Sequence, residues 1–196
     1  MKKIILLALL VMTAACGSAA STAQTNEDAN MKENKKILIA YYSKSGNTEQ
    51  IAKHIQKLTG GDLFEITTDH KYPTEYRPLT EQAKKEIADG FKPKLNKTVS
   101  NFADYDIVFI GSPCWWSTVA PAVSSFLSEY DYSGKTVVPF MTHEGSGLGR
   151  SVSDIKKLVP SAIMLEGKAF RGSTAAQAQN DVQSWVREIK IVREAK

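Results

Sequence analysis

Three short polar segments of the chain carry the side chains that are able to bind a ligand or react with one. The first segment consists of Ser43, Lys44, Ser45, Gly46, Asn47 and Thr48. Its hydroxyls, amide and ammonium are hydrogen-bond donors, and Gly46 allows the backbone to fold closely around a ligand. At the start of a helix, such a segment also presents unpaired N–H groups that attract anions such as phosphate. A simpler interpretation is helix capping, with Asn47 or Thr48 as the N-cap residue.

The second segment places two tryptophans side by side in a polar stretch. It consists of Gly111, Ser112, Pro113, Cys114, Trp115, Trp116, Ser117 and Thr118. Because neighbouring side chains do not both enter the same core, we expect at least one indole to face the surface or a ligand. The face of an indole is a good stacking partner for a flat aromatic molecule. Alternatively, one tryptophan covers the edge of a sheet and the other packs beneath a helix.

The third segment is rich in glycine and contains two titratable side chains. It consists of Thr142, His143, Glu144, Gly145, Ser146, Gly147, Leu148 and Gly149. The glycines would let backbone groups approach a ligand closely, although an ordinary glycine-rich turn has the same composition. The other two histidines carry no functional argument, because we expect His54 on an exposed helix face and His70 in a loop.

The pattern of apolar residues places each of these segments directly after a predicted strand. Apolar runs predict strands at residues 37–42, 62–67, 106–111, 135–141 and 162–165. Helical spacing predicts helices at residues 48–58, 79–88, 119–130, 148–158 and 174–191. The helix at 79–88 is polar, follows a predicted loop at 69–78, and is expected to be exposed. Strict alternation of strands and helices is typical of an α/β fold, a doubly wound parallel sheet with helices on both faces.

The order of these elements predicts one ligand site. In an open parallel sheet, ligands bind beyond the carboxyl ends of the strands, near the point where the strand order reverses. The three polar segments follow the first, third and fourth predicted strands. We therefore expect all three at the same edge of the sheet.

Taken together, the three segments resemble the loops of the flavodoxin family, in particular its bacterial flavodoxin-like branch. The resemblance spans residues 36–191. The first segment resembles the family's phosphate loop, which favours threonine where this chain has Ser45, a change that keeps the hydroxyl. The resemblance implies a five-stranded sheet of order 2-1-3-4-5. No long insertion interrupts the fifth strand, which favours the short-chain form of the fold.

The same resemblance implies that FMN is the cofactor. It implies that residues 43–48 hold the phosphate and that Trp115 or Trp116 lies against the ring. The third segment would follow the far edge of the ring. The implied cofactor-binding residues outside the phosphate loop are Pro113, Cys114, Trp115, Trp116, His143, Glu144, Gly145, Ser146 and Gly147.

The resemblance implies a function in electron transfer or oxidoreduction, with redox proteins or small-molecule electron donors and acceptors as partners. An NAD(P)H-dependent flavin quinone reductase is an alternative of the same class. A different class follows from the residues alone, because Cys114 and His143 follow neighbouring strands. A thiol and an imidazole placed there would form the nucleophile and base of a hydrolase or transferase. A non-enzymatic binding module is a third interpretation.

Composition places the chain among soluble globular proteins. It has 196 residues, of which 42% are hydrophobic and 23% charged, and a formal net charge of +4. This length suits one domain with a real hydrophobic core. The positive balance is weak and no basic block occurs, so nucleic acid is not expected as a partner.

The N-terminus has the layout of an export signal. A positive start and an apolar run precede small residues and Cys16. We interpret residues 1–15 as a signal peptide and Cys16 as a lipidation site, although simple cleavage after Ala23 is an alternative. Residues 16–34 contain almost no large apolar side chain and are expected to form a flexible tether before a domain at 35–196. The expected location is outside the cytoplasm, in the periplasm or at the cell exterior, with a lipid anchor as the only membrane attachment.

Overall fold

The computed structural model of the protein describes residues 35–191. The strands are β1 (Ile37–Tyr41), β2 (Asp62–Glu65), β3 (Ile107–Pro113), β4 (Thr136–His143), β5 (Ile163–Met164) and β6 (Lys168–Arg171). The α-helices are α1 (Asn47–Thr59), α2 (Tyr76–Ala88), α3 (Pro121–Glu129), α4 (Ser151–Leu158) and α5 (Gln179–Glu188). The predicted signal peptide, lipidation site and tether lie outside the described residues. Between residues 35 and 191, no helix has the length and apolar character needed to cross a membrane.

The strands form one parallel sheet in the order β2-β1-β3-β4-β5, and β6 pairs with β4 further along the same edge. The predicted α/β fold and the strand order 2-1-3-4-5 are therefore confirmed. The order reverses between β1 and β3, because the chain first adds β2 on one side of β1 and then returns to the other. A crevice opens at such a point beyond the carboxyl ends of the strands.

Both faces of the sheet are covered, as the continuous apolar runs predicted. Successive side chains of a strand point to opposite faces, so Leu38 and Ala40 enter one core whereas Ile39 and Tyr41 enter the other. The first core also contains Val108, Ile110, Val123, Phe126 and Val137, and the second also contains Ile51, Phe109, Val138, Phe140 and Trp185. Burying each large side chain contributes about 1.5–3 kcal/mol, so these two cores hold the strand ends in place.

The edge chain beside β4 is divided into β5 and β6, whereas the sequence predicted a single fifth strand. The Leu165 N–H donates to the Val137 carbonyl at 3.0 Å, so the next bond of this ladder requires an N–H at position 139. Pro139 has no N–H to donate. Gly167 passes so close to this position that a Cβ on it would lie 3.0 Å from the Pro139 carbonyl oxygen. The chain therefore leaves the ladder at the proline and pairs again as β6.

The prediction that His54 lies on an exposed helix face was wrong. His54 is only 7% exposed. Its Nε2 lies 3.2 Å from the Ala175 carbonyl oxygen and 3.1 Å from that of Ala176, so a proton on Nε2 is donated to them. Both carbonyls belong to a 3₁₀ segment, Gly172–Gln177. The sequence predicted a helix start at residue 174, but this 3₁₀ segment occupies those positions and α5 begins at Gln179.

We predict that Gly111→Ala destabilises the fold, because a Cβ at this position of β3 would overlap the Phe140 ring of β4. Overpacking of this kind costs about 1–3 kcal/mol of unfolding free energy, which urea denaturation measures. Gly145→Ala is the matched control, because a Cβ on Gly145 would meet no heavy atom within 4 Å. Equal stability of the two variants would contradict the tight contact between Gly111 and Phe140.

Candidate functional site

A cleft of about 760 Å³ lies at the carboxyl ends of β1, β3 and β4, and all three predicted segments contribute to it. The predicted residues that line it are Lys44, Ser45, Asn47, Pro113, Cys114, Trp115, Trp116, His143, Glu144, Gly145 and Ser146. Four other predicted residues, Ser43, Gly46, Thr48 and Gly147, are not among its lining residues. The structure therefore assembles the predicted site from three distant parts of the sequence.

The first segment leads directly into α1. Gly46 has φ of 86°, a left-handed conformation that favours glycine, and its carbonyl accepts the Gln50 N–H at 3.0 Å. The Ser43 hydroxyl accepts the Glu49 N–H at 3.3 Å, so Ser43 provides the partial cap that was considered for Asn47 or Thr48. The Thr48 hydroxyl is buried and lies 2.8 Å from the Thr142 hydroxyl. Thr48 therefore joins α1 to β4 instead of facing the cleft.

The remaining donors of the first segment have no partner within residues 35–191. These are the backbone N–H groups from Ser45 to Thr48, the Lys44 ammonium, the Ser45 hydroxyl and the Asn47 amide. Lys44, Ser45 and Asn47 line the cleft. A cation, a hydroxyl and an amide beside free N–H groups at a helix start form a strong donor set for an anion.

The second segment forms a tight turn that also lines the cleft. The N–H and carbonyl groups of Trp115 and Thr118 exchange hydrogen bonds of 2.9 and 3.0 Å. The residues between them, Trp116 and Ser117, have φ of 49° and 65°. Such positive values are rare for a residue as bulky as tryptophan. Gly149 packs closely against the turn, since a Cβ on Gly149 would lie only 2.8 Å from the Ser117 Cα.

The two tryptophans take different positions, and both line the cleft. The Trp115 ring makes edge contacts with Tyr42 and Tyr72, with centroid distances of 5.9 and 4.9 Å. The Trp116 indole is 47% exposed, and its Nε1–H donates to the Thr80 carbonyl of α2 at 2.8 Å. Trp115 is therefore held by aromatic packing and Trp116 by a hydrogen bond to a helix.

The third segment is fixed by hydrogen bonds to its own backbone and to the turn after β6. The Gly147 N–H donates to the His143 Nδ1 at 3.0 Å, so Nδ1 is an acceptor and the ring proton lies on Nε2. The Glu144 carboxylate accepts the Ser173 N–H at 2.8 Å. A Cβ on Gly172 would lie 2.6 Å from the Asn47 amide nitrogen and 2.7 Å from the Glu144 carboxylate. The lack of a side chain at Gly172 thus lets the first and third segments approach each other.

Comparison with known proteins identifies the family. Residues 36–189 match the family model described as Flavodoxin. The chain belongs to the flavodoxin family. It is similar to a candidate flavoprotein of known crystal structure from Bacteroides eggerthii DSM 20697, and the two sequences are 30% identical. The match covers 82% of this chain and 100% of that chain, with a TM-score of 0.70.

Two further crystal structures of flavoproteins have the same fold. A candidate flavoprotein from Bacteroides uniformis ATCC 8492 is 26% identical, and the match covers 78% of this chain and 98% of that chain with a TM-score of 0.70. A flavoprotein from Lactobacillus acidophilus NCFM, solved in complex with FMN, is 24% identical. That match covers 73% of this chain and 97% of that chain with a TM-score of 0.61, and it shows the shared fold.

The structure gives no support to a thiol–imidazole pair in this flavodoxin-family protein. The Cys114 Sγ lies 4.0 Å from the Ser151 hydroxyl, and the His143 Nδ1 already accepts the Gly147 N–H. Among residues 35–191, no hydrogen bond joins Cys114 to His143. Both side chains line the cleft.

Sequence reasoning missed one wall of the cleft, which comes from α2. The lining residues from this helix, none of them predicted, are Tyr76, Leu79, Thr80 and Ala83. Gly172 was not predicted either, and Ser117 and Thr142 belong to the second and third segments without having been named as cofactor-binding residues. The region was interpreted as a loop at 69–78 and an exposed helix at 79–88, whereas α2 begins at Tyr76. A signal was present, because Tyr76, Leu79 and Ala83 recur at helical spacing and therefore lie on one face.

A hydrogen-bonded cluster around Glu86 holds α2 against the second segment. The Glu86 carboxylate accepts the Tyr72 hydroxyl and the Gln82 amide, each at 2.7 Å, and lies 2.7 Å from the His70 Nε2. His70 therefore does more than occupy a loop, since it joins that loop to α2. Tyr72 in turn contacts Trp115. The cluster thus connects the position of α2 to a tryptophan of the cleft.

We predict that the two tyrosines in contact with Trp115 make the free energy of unfolding decrease at alkaline pH. Burial and the nearby Glu86 carboxylate raise the pKa of Tyr42 to about 12. Burial and the hydrogen bond to Glu86 also raise the pKa of Tyr72. An unfolded tyrosine titrates near pH 10, so the unfolded chain loses these protons first and the free energy of unfolding decreases from about pH 10 upward.

The double variant Tyr42→Phe and Tyr72→Phe should flatten this decrease in urea denaturation between about pH 9 and pH 12. Tyr76→Phe is the control, because Tyr76 is 83% exposed. An unchanged decrease in the double variant would show that other groups cause it.

Proposed function

We propose that this protein binds FMN in the cleft and uses it in oxidation–reduction. The observation that carries the proposal is the pairing of two chemistries in one cleft. Unpartnered donors at the start of α1 suit a phosphate, and two tryptophans in the same cleft suit a flat aromatic ring. The fold shared with a flavoprotein solved in complex with FMN supports the same conclusion.

The residues of the first segment fit a phosphate dianion. The unpartnered N–H groups from Ser45 to Thr48 would donate to its oxygens, while the Lys44 ammonium supplies a full positive charge. Ser45 and Asn47 would add side-chain donors from the same end of the cleft. Binding would therefore satisfy several donors that find no partner elsewhere in the described part of the chain.

The second and third segments fit the ring of the cofactor. Trp115 and Trp116 offer aromatic surface, and the residues from His143 to Ser146 line the same cleft with backbone and polar groups. When bound, FMN supplies reversible one- and two-electron oxidation–reduction. The protein holds and orients the ring, and its aromatic side chains exclude water from it.

We predict that Asn47→Ala weakens FMN binding about tenfold, the value for one hydrogen bond to a charged group. The affinity for riboflavin, which lacks the phosphate, should remain within about twofold of the unmodified protein. Titration of each flavin against the protein, followed by flavin fluorescence, gives both dissociation constants. Lys53→Ala is the control, since Lys53 lies on α1 but does not line the cleft. An equal loss for both flavins would contradict the phosphate assignment, and the absence of FMN binding would contradict the function.

The electron partner is either a redox protein or a small molecule. The observation that favours a small molecule is that α2 lines the cleft beside the two tryptophans. A flavin that serves as a protein-to-protein carrier exposes an edge to its partner. A concave and largely apolar enclosure is typical of small-molecule sites.

We also propose that the protein is an exported lipoprotein with Cys16 as its lipidated residue. The support is the sequence of residues 1–16, with its basic start, apolar run and small residues before the cysteine. Cys16→Ser should abolish incorporation of a labelled fatty acid in a bacterial host, whereas Cys114→Ser should not. A mature N-terminus at residue 24, found by N-terminal sequencing, would instead establish cleavage after Ala23.

A further inference from the structure

A second cavity, of about 340 Å³, lies between the end of α2, the start of α3 and α4. None of the residues that line this second cavity also lines the cleft. Its volume is sufficient for a small organic molecule, since such sites in proteins begin at about 300 Å³. A ligand in the second cavity would therefore be separate from a cofactor in the cleft.

The lining of the second cavity carries a net positive charge. Its charged residues are three cations, Lys92, Arg150 and Lys157, and one carboxylate, Asp154. Partial burial raises the pKa of Asp154, but hydrogen bonds from Thr118, Lys157 and Arg150 lower it more, so that the pKa lies below its usual value. Asp154 is therefore ionised at neutral pH, and two positive charges remain in excess.

The Arg150 guanidinium is held in place and still has free donors. Its Nε–H donates to the Asp154 carboxylate at 2.9 Å, and the buried Thr118 hydroxyl donates to the same oxygen at 2.8 Å. The two terminal nitrogens of the guanidinium have no partner within residues 35–191. Their parallel N–H groups match the two oxygens of a carboxylate, so Arg150 is oriented to bind one.

Much of the remaining lining is apolar. Ile87 and Phe91 contribute from the end of α2, Val119 and Pro121 from the start of α3, and Leu158 from the end of α4. The Phe91 side chain is 38% exposed, so part of this apolar surface is in contact with solvent. A ligand that carried only a charge would leave that surface uncovered, whereas a ligand with an apolar body would remove it from water.

We propose that the second cavity binds a small organic acid that has one carboxylate and an aliphatic or aromatic body. The carboxylate would accept hydrogen bonds from the terminal nitrogens of Arg150, while Lys92 and Lys157 add positive charge. The body of the acid would cover Phe91 and its apolar neighbours. A free phosphate dianion fits less well, because it requires donors on several sides and the apolar part of the lining supplies none.

Equilibrium dialysis of 4-phenylbutyrate against the protein, with and without saturating FMN, tests the inference. We expect one saturable site per chain that persists at saturating FMN, because the cavity and the cleft share no lining residue. The probe 4-phenylbutyramide lacks the charge and acetate lacks the apolar body, so each should bind about tenfold more weakly or less.

Three outcomes would overturn the inference. The absence of saturable binding would remove the site, and displacement of the acid by FMN would place it in the cleft instead. Equal binding of the amide, of acetate or of inorganic phosphate would contradict a ligand with both a carboxylate and an apolar body. A protein that binds no FMN would contradict the proposed function alone, because the variants below locate the acid independently.

Variants on two sides of the second cavity locate the ligand. Arg150→Gln should weaken 4-phenylbutyrate binding about tenfold through loss of the charged hydrogen bonds. Arg187→Gln is the matched control, because it makes the same chemical change on α5, outside the cavity, and should leave the affinity unchanged. Phe91→Ala alters the apolar lining without removing a partner of Asp154, and should also weaken binding about tenfold.

Urea denaturation shows whether each variant is folded, and Phe91→Ala decides the question if Arg150→Gln is not. An affinity that is unchanged in a folded Arg150→Gln or Phe91→Ala variant would place the acid elsewhere and overturn the inference.

Discussion

The parallel register of β1, β3 and β4 is the constraint on which the rest of the structure depends. Tyr41 pairs with Gly111, Gly111 pairs with Phe140, and Pro113 pairs with Thr142. Because the strands run in the same direction, their carboxyl ends lie together and the three polar segments begin at nearly the same level. The buried hydrogen bond between Thr48 and Thr142 then fixes α1 to the end of β4. In a buried environment that bond is costly to break, so the start of α1 is held firmly beside the cleft.

The turn that carries the two tryptophans combines backbone strain with hydrogen bonds that hold it. A left-handed conformation at Trp116 and Ser117 costs about 1–2 kcal/mol per residue, and it persists only where the surroundings stabilise it. The Arg150 N–H donates to the Ser117 carbonyl at 2.7 Å, and the Trp116 indole is bonded to α2. The strained turn is thus fixed from both sides. Such strain is typical of functional sites, which agrees with its position at the edge of the cleft.

The sequence predicted a structural element correctly where the pattern of neighbouring residues alone determines that element. The apolar runs of β1, β3 and β4 predicted buried strands because side chains on both faces are enclosed by helices. The three polar segments were found because each follows such a strand. The strand order itself came from the resemblance to flavodoxins, since periodicity does not distinguish one order of parallel strands from another. The order was confirmed, and the assignment of individual residues to FMN remains a prediction.

The features that sequence reasoning missed depend on contacts between distant parts of the chain. Pro139 is plain in the sequence, but it divides the edge chain into β5 and β6 only because that chain would need an N–H from position 139 to continue its ladder. His54 lies next to the apolar stripe of α1, and its burial depends on carbonyls of residues 175 and 176, more than 100 positions away. The residues of α2 that line the cleft were missed for the same reason. The apolar face of α2 is narrow, and its role follows from bonds to Trp116 and from the Glu86 cluster.

The same contacts show why α2 bears on function and not only on stability. Glu86 connects α2 to Tyr72, Tyr72 contacts Trp115, and Trp116 is bonded to Thr80, so the helix and both tryptophans form one connected wall. A movement of α2 would therefore change the aromatic surface of the cleft, while the start of α1 remains fixed to β4 by Thr48 and Thr142. The two sides of the cleft are thus held by different elements. If FMN binds as proposed, the elements that hold its phosphate are separate from those that border its ring, and the same fold can then carry a different site along α2.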